Sequence, residues 1–232
     1  MPVNGSGRFI GPGQPIRDGL IGWYDSRYKE PDLGTGNNWF DISNNGEDLT
    51  QFNSPAWSYG YYFDLDGSND YFRSTSLPTD IGTLYTIEGW YDGDADTSVD
   101  YYFDWRTSTG VNYLLKESNG YDANFNQFAK LNWSNGYQNW HQIVIVQTTE
   151  AGDPDCLLYI NGEEVASGTA GVSDIEWDSG KLTIGTDYNG GNYWNGKVGC
   201  IRAYDRVLSA TEIRHNFLCD AGRFAVTIEG TS

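Results

Sequence analysis

Methionine is nearly absent from this chain, with one residue in 232, while histidine occurs twice and cysteine three times. Basic residues are scarce as well: 14 Lys and Arg stand against 32 Asp and Glu, a net charge of −18. An acid excess of that size repels a phosphate backbone unless a large basic patch opposes it, so no nucleic acid is expected as a partner. Three cysteines allow at most one intramolecular bridge, which is not the even, dense set of a disulfide-stapled secreted domain. No stretch approaches the ~18 apolar residues of a membrane span. The start, from Met1 to Pro15, has neither the basic residues nor the apolar run of a signal peptide. The expectation is a chain made in a cytosol, without a membrane span.

Catalytic signatures are missing too. No serine sits in a nucleophile elbow, no Cys–His spacing suggests zinc, and no phosphate-cradling glycine loop precedes a helix. Nothing asks for an organic cofactor.

What the chain has in quantity is aromatic residues, 16% of the total, and 29 glycines. That mix suits one large all-β domain with many turns. Short runs rich in β-branched and aromatic residues, bounded by Gly, Asn or Asp, read as strands. The first is Gly19–Asp25. Tyr62–Phe72 reads as a strand, a turn at Asp66-Gly67 and a return strand. Tyr85–Tyr91 alternates Tyr85, Ile87 and Gly89 against Thr86, Glu88 and Trp90, a two-faced strand. Residues 92–100 are acidic and polar and read as a loop. Further strand-like runs follow at Asn139–Val146, Cys156–Val165, Lys181–Gly185 and Gly196–Ser209. One helix is legible: Ser209-Ala210-Thr211-Glu212 is a capping box, with Leu208 and Ile213 at the staple positions, and the helix ends near Phe217. Cys200 falls inside a strand pattern and reads as a small core residue.

The order of Gly19–Trp23, Phe63–Tyr71, Thr86–Trp90, Trp140-His141, Tyr159–Gly162, Leu182–Gly185 and Tyr204–Ile213 resembles a laminin-G-like domain of the concanavalin A-like lectin/glucanase superfamily. The resemblance covers roughly residues 19–217. It implies an all-β fold, a two-sheet antiparallel jelly-roll sandwich with one short C-terminal helix. Residues 1–18 form a Gly/Pro-rich docking arm, and residues 218–232 a C-terminal tail or final strand. Related laminin-G domains from animals often carry a disulfide near the C-terminus, which here implies a Cys200–Cys219 bridge.

The glucanase branch hydrolyses glycosides with two carboxylates on one strand, spaced about 5–5.5 Å apart. The nearest match is Asp174-Ile175-Glu176-Trp177-Asp178, with the residue types swapped and in what reads as a loop, so no catalytic residue is assigned. Relatives often bind calcium at a rim loop. Asp66, Asn69 and Asp70 supply clustered oxygens of the type this hard cation prefers, and Asp92, Asp94 and Asp96 form a second oxygen-rich loop. Turn chemistry explains the first group equally and solvation the second.

Two aromatic loops, around Trp57 and Tyr59 and around Tyr188, Asn192, Tyr193 and Trp194, offer flat apolar faces beside amide donors and acceptors, which suits a pyranose ring. The same residues also suit a protein interface or a fold-back into the core. Standalone modules of this type look like structural proteins of bacterial viruses. The function expected is therefore a non-catalytic virion structural protein, a capsid or tail decoration protein made in the host cytoplasm. Its arm, with Arg8, Phe9 and Ile10, docks on other virion proteins or copies of itself. The alternative is a carbohydrate- or receptor-binding module on a viral fibre or cell surface with a surface glycan as partner, and after it a glycoside hydrolase.

Overall fold

The computed structural model describes residues 13–28, 38–44, 48–58, 61–75, 84–93, 99–104, 112–117, 120–125, 129–133, 139–148, 156–168, 181–187 and 189–226. The strands are β1 (Leu20–Asp25), β2 (Asn38–Trp39), β3 (Leu49–Phe52), β4 (Ala56–Ser58), β5 (Tyr62–Asp66), β6 (Tyr71–Ser74), β7 (Tyr85–Gly93) and β8 (Asp100–Asp104). They continue with β9 (Asn112–Glu117), β10 (Gly120–Phe125), β11 (Ala129–Trp133), β12 (Asn139–Gln147), β13 (Cys156–Ile160), β14 (Glu163–Gly168), β15 (Thr183–Ile184) and β16 (Asn195–Tyr204). The helix is α1 (Ala210–Asp220). All pairings are antiparallel, in two sheets: β14-β13-β12-β7-β16-β5-β4 with β1 also on β16, and β11-β10-β9-β8-β15-β6-β3-β2. The two-sheet sandwich implied by the sequence is what the chain forms.

Alternation along the strands sends one set of side chains between the sheets. Trp39, Phe63 and Phe72 meet there with ring centroids 4.8–5.1 Å apart, and Tyr91, Tyr102 and Trp194 form a second aromatic group. The turn at Asp66-Gly67 exists, but its return strand is not a hairpin partner. β5 pairs with β16 and β4, while β6 crosses to the other sheet and pairs with β15 and β3. The expected loop at 92–100 is also shorter at both ends, because β7 runs through Gly93 and β8 begins at Asp100. Asp92 is thus a strand residue, ion-paired with Lys197 at 3.0 Å; Asp94 and Asp96 lie outside the described residues.

The outer face of β7 departs furthest from the two-faced reading. Thr86, Glu88 and Trp90 are as buried as the inward-pointing Tyr85 and Ile87. The cover is α1, which buries Ile213, Asn216, Phe217 and Asp220, spacings that put them on one helical face. Its cap is the one legible in the sequence: Ser209 Oγ accepts from Glu212 N at 3.3 Å, and Glu212 Oε2 accepts from Ser209 N at 2.8 Å. Leu208 and Ile213 share a buried cluster with Val144, Val146, Tyr159 and Tyr204, as a staple requires. The helix runs to Asp220, past Phe217, because that last turn brings Asp220 onto Arg202.

Arg202 is 1% exposed and lies between two carboxylates, with NH1 donating to Glu88 Oε1 at 2.7 Å and NH2 to Asp220 Oδ2. Glu88 also accepts from Gln142 Nε2 at 3.1 Å and from Asn216 Nδ2 at 3.2 Å. Beside this group, Asp25 bonds Arg27 and Arg223. Burial alone would raise the Asp25 carboxyl, yet the two guanidinium groups hold it below its ordinary range.

After α1 the chain turns back at residues 221–225 and lays Phe224 against Trp90 at 4.6 Å and Trp140 at 4.4 Å. A final strand is not formed there, and residues 227–232 lie outside the described residues. Cys156, Cys200 and Cys219 are all free, which corrects the Cys200–Cys219 bridge. Cys200 is sealed among Trp23, Trp90 and Phe217, while Cys219 stands on the helix with its Sγ 3.5 Å from His215 Nε2. Burial pushes the Cys219 thiol up to about 11. Residues 13–18, grouped with the arm from the sequence, lie against the sandwich. Ile16 N donates to Asn216 Oδ1 at 2.9 Å, Tyr204 OH donates to Ile16 O at 3.2 Å, and Arg17 lies over the Trp23 ring.

Candidate functional site

Three loops meet at the end of the sandwich where β16 begins. The first follows β3 and turns at Asn53, whose φ of 66° is in the left-handed region that asparagine tolerates. The second is the Asp66–Asp70 turn between β5 and β6. The third is the Gly185–Trp194 connection between β15 and β16. Asp70 ties the first two together: its Oδ1 accepts from Ser54 N at 3.0 Å and its Oδ2 from Asp66 N at 3.4 Å. Asn53 Nδ2 adds a bond to Asn69 O. The second loop touches the start of β16, just after the third loop, at Gly67, with φ 70°, where a Cβ would sit 2.8 Å from Asn195 Cβ.

The third loop is braced from within. Asp187 is 8% exposed and accepts from Asn189 N at 2.9 Å, Gly191 N at 2.8 Å and Asn192 Nδ2 at 3.1 Å. This holds Tyr193 half-buried at the rim, 6.2 Å from the Tyr71 ring. Tyr71 in turn stacks on Phe52 at 4.3 Å with the planes 4° apart, a cross-strand pair of β6 and β3. Arg73, two residues along the same strand face, stands 5.1 Å from the Tyr71 ring and donates from Nε to Thr183 Oγ1 at 3.1 Å. The rim therefore presents an apolar strip, Phe52–Tyr71–Tyr193, with phenol tips and a guanidinium at its side.

Next to the strip is a depression of about 600 Å³ lined by Asn53, Ser54, Asp64, Asp66, Asp70 and Asn195 among others. Its electrostatics are acidic but graded. Backbone N–H groups of Ser68 and Asn69 hold the Asp66 carboxyl below its usual value. Burial, together with the charge of Asp66, raises Asp70, and burial raises Asp64.

The sequence-predicted residues divide. Asn192 and Tyr193 stand at this rim, and Asp66, Asn69 and Asp70 join them across Gly67. Trp194 does not, because its ring is 0% exposed in the inter-sheet core. Gly196 makes the room, since a Cβ there would come within 2.5 Å of the Trp194 indole nitrogen. Trp57 is half-buried against the same core and donates from Nε1 to Ser26 O at 2.9 Å, so its ring is structural. Tyr59, Tyr188, Arg8, Phe9, Ile10 and the Asp174–Asp178 run lie outside the described residues.

The calcium expectation does not fit this geometry. Among the described residues no three His, Cys, Asp or Glu side chains gather to hold a metal ion. Phe52, Tyr71 and Arg73 were missed from the sequence. For Tyr71 and Arg73 the signal was the alternation of β6, where Phe72 points inward and its neighbours therefore point out; Phe52 joins them only through the pairing of β3 with β6.

Two facing antiparallel sheets with loops gathered at one rim define a lectin-type sandwich. A family model described as the concanavalin A-like lectin/glucanases superfamily matches residues 65–214, and the chain belongs to that superfamily, in its laminin-G-like branch. A comparison with curated proteins finds no match. Among solved structures, the receptor binding domain of botulinum neurotoxin D is similar at 16% identity and a TM-score of 0.71, over 87% of this chain and 52% of that one. The binding domain of botulinum neurotoxin DC in complex with SialylT is similar at 15% identity and 0.66, over 87% and 51%. Trypanosoma rangeli sialidase in complex with sialic acid is similar at 14% identity and 0.69, over 98% and 36%. The chain spans about half or less of these molecules, and at such identity the likeness is one of fold.

Proposed function

We propose that this protein is a non-catalytic glycan-binding module that works through the rim at Phe52, Tyr71 and Tyr193. The observation that carries the reading is the convergence of three loops that set an aromatic strip beside a hydroxyl-accepting depression. Sugar hydroxyls donate well to carboxylate and amide oxygens, and the C–H face of a pyranose suits an aromatic strip. The braced Asp187 loop supports it, since a loop already ordered loses less on binding. The fold's similarity to binding domains, one of them in complex with SialylT, is in keeping with it. Tyr193→Ala is expected to lower affinity for a bound oligosaccharide at least about tenfold, about 1.4 kcal/mol, with an unchanged unfolding midpoint. Calorimetric titration of glycan-array hits reads this out, and equal affinity in the variant removes the rim from the function.

The setting we propose is a virion, with residues 1–12 as the anchor. What favours it is the placement of residues 13–18. They are pinned beside Tyr204, at the opposite end of β16 from Asn195 and the rim, about 30 Å away at the usual strand rise. An anchor leaving from there would point the rim outward. Removing residues 1–12 should leave the fold intact and abolish copurification with particles; undiminished copurification rejects the anchor.

A further inference from the structure

We propose that the outer face of the first sheet carries a second saccharide-binding cleft, distinct from the rim. It lies where the start of β12, the β13–β14 turn and the residues after α1 meet, and its volume is about 490 Å³. Across the sheet it is three strand spacings, roughly 14 Å, from β5, whereas the rim strip lies on β3 and β6 of the other sheet.

Trp140 forms the wall of this cleft. Its half-buried indole is supported by Phe224 at 4.4 Å and Tyr62 at 5.8 Å between ring centroids. Among the described residues nothing accepts its Nε1–H, and the residue is half-buried where Trp23, Trp39, Trp90 and Trp194 are fully buried. The remaining polar groups are set by their own partners. Asn161 Oδ1 is committed to Gln142 N at 2.9 Å, which leaves its Nδ2 as a donor. Asp92 gives Oδ2 to Lys197 Nζ at 3.0 Å, so its charge is balanced and Oδ1 is left as an acceptor. The exposed Asn139 adds an amide with both functions. His141 bonds Asn139 O through Nδ1 at 2.9 Å, and burial holds its pKa below the ordinary histidine value.

The cleft is thus close to neutral, with donors and acceptors interleaved beside an aromatic wall. An anion finds no net positive charge there, and a cation finds Asp92 already paired. An apolar ligand would leave the amides, the indole N–H and the carboxylate oxygen without partners, which costs free energy. A hydroxylated ring satisfies them, since each hydroxyl both donates and accepts. The occupant assigned is a neutral mono- or disaccharide.

The test follows the Trp140 indole N–H in a nitrogen–proton correlation spectrum, where Trp140→Phe assigns the resonance by deleting it while keeping an aromatic wall. The intact chain is titrated with neutral disaccharides of glucose, galactose and N-acetylglucosamine to about 10 mM, the range of a weak single site. Expected is a saturable shift with at least one of them, equal in Tyr193→Ala. Asn139→Gly, which suits the φ of 77° at that position, should weaken it at least about tenfold. If no sugar moves the resonance, or if Tyr193→Ala abolishes the shift, the second cleft is overturned. A shift that persists while Tyr193→Ala leaves all other glycan binding intact sinks the rim reading instead and keeps this one.

Discussion

Arg202→Met is expected to lower the unfolding free energy by about 3–5 kcal/mol, the cost of removing one partner from a buried ion group. The substitution keeps most of the side-chain volume but leaves Glu88 and Asp220 under α1 without their guanidinium. Burial already pushes the Glu88 carboxyl upward, against the pull of Arg202 and Asn216. Without Arg202, burial and the charge of Asp220 act with less opposition, and the folded-state value rises further. A carboxyl whose folded value lies above its unfolded one favours folding at low pH and loses that contribution as pH rises through the folded value. The variant should therefore lose stability more steeply than the parent as pH rises above the ordinary carboxylate range. Adding Glu88→Gln and Asp220→Asn should recover most of the loss, because an uncharged group needs no counterion. Urea unfolding across that pH range checks all of this. A single variant as stable as the parent would show that the charges are not sealed beneath the helix.

The second large effect separates two adjacent aromatics. Trp194→Ala should cost about 3–5 kcal/mol, the usual range for emptying a large aromatic core position, whereas Tyr193→Ala should change stability little. Trp194 packs edge-on against Tyr102 at 4.4 Å and Tyr91 at 5.7 Å, with no exposure. Set against a typical total stability of about 5–15 kcal/mol, that loss is large. Any loss of ligand binding in Trp194→Ala would then follow from unfolding rather than from a missing contact. Parallel denaturation of the two variants decides it, and equal midpoints would contradict the core placement.

This pair also shows where the sequence was legible. Tyr193 and Trp194 sit in one polar, Gly- and Asn-rich stretch, and residue type alone offered both as ligand contacts. Strand alternation restarts at Trp194, and Gly196 clears the space for its indole, but both facts depend on where β16 docks. The capping box at Ser209 and Glu212 was readable because its bonds close within four residues. The Asp66-Gly67 turn was readable for the same reason. The sheet that takes the following strand was not, because β6 pairs with β15 more than a hundred residues later. The missed strip residues needed the same knowledge. Phe52 and Tyr71 become neighbours only when β3 and β6 align, and Tyr193 joins them only through the third loop.

By itself, the sequence determined what is local or summed over the chain: the strands and their period, the turns, the helix cap and the acidic balance, with the two-layer sandwich implied by the resemblance those elements carry. Only the tertiary structure decided which faces are covered. Glu88, polar on an apparently two-sided strand, becomes a core residue because α1 arrives from more than a hundred residues downstream and brings Asn216 and Asp220 with it. Hydrogen bonds within a turn depend on neighbours in the chain, whereas burial of a sheet's second face depends on whatever distant segment comes to rest on it.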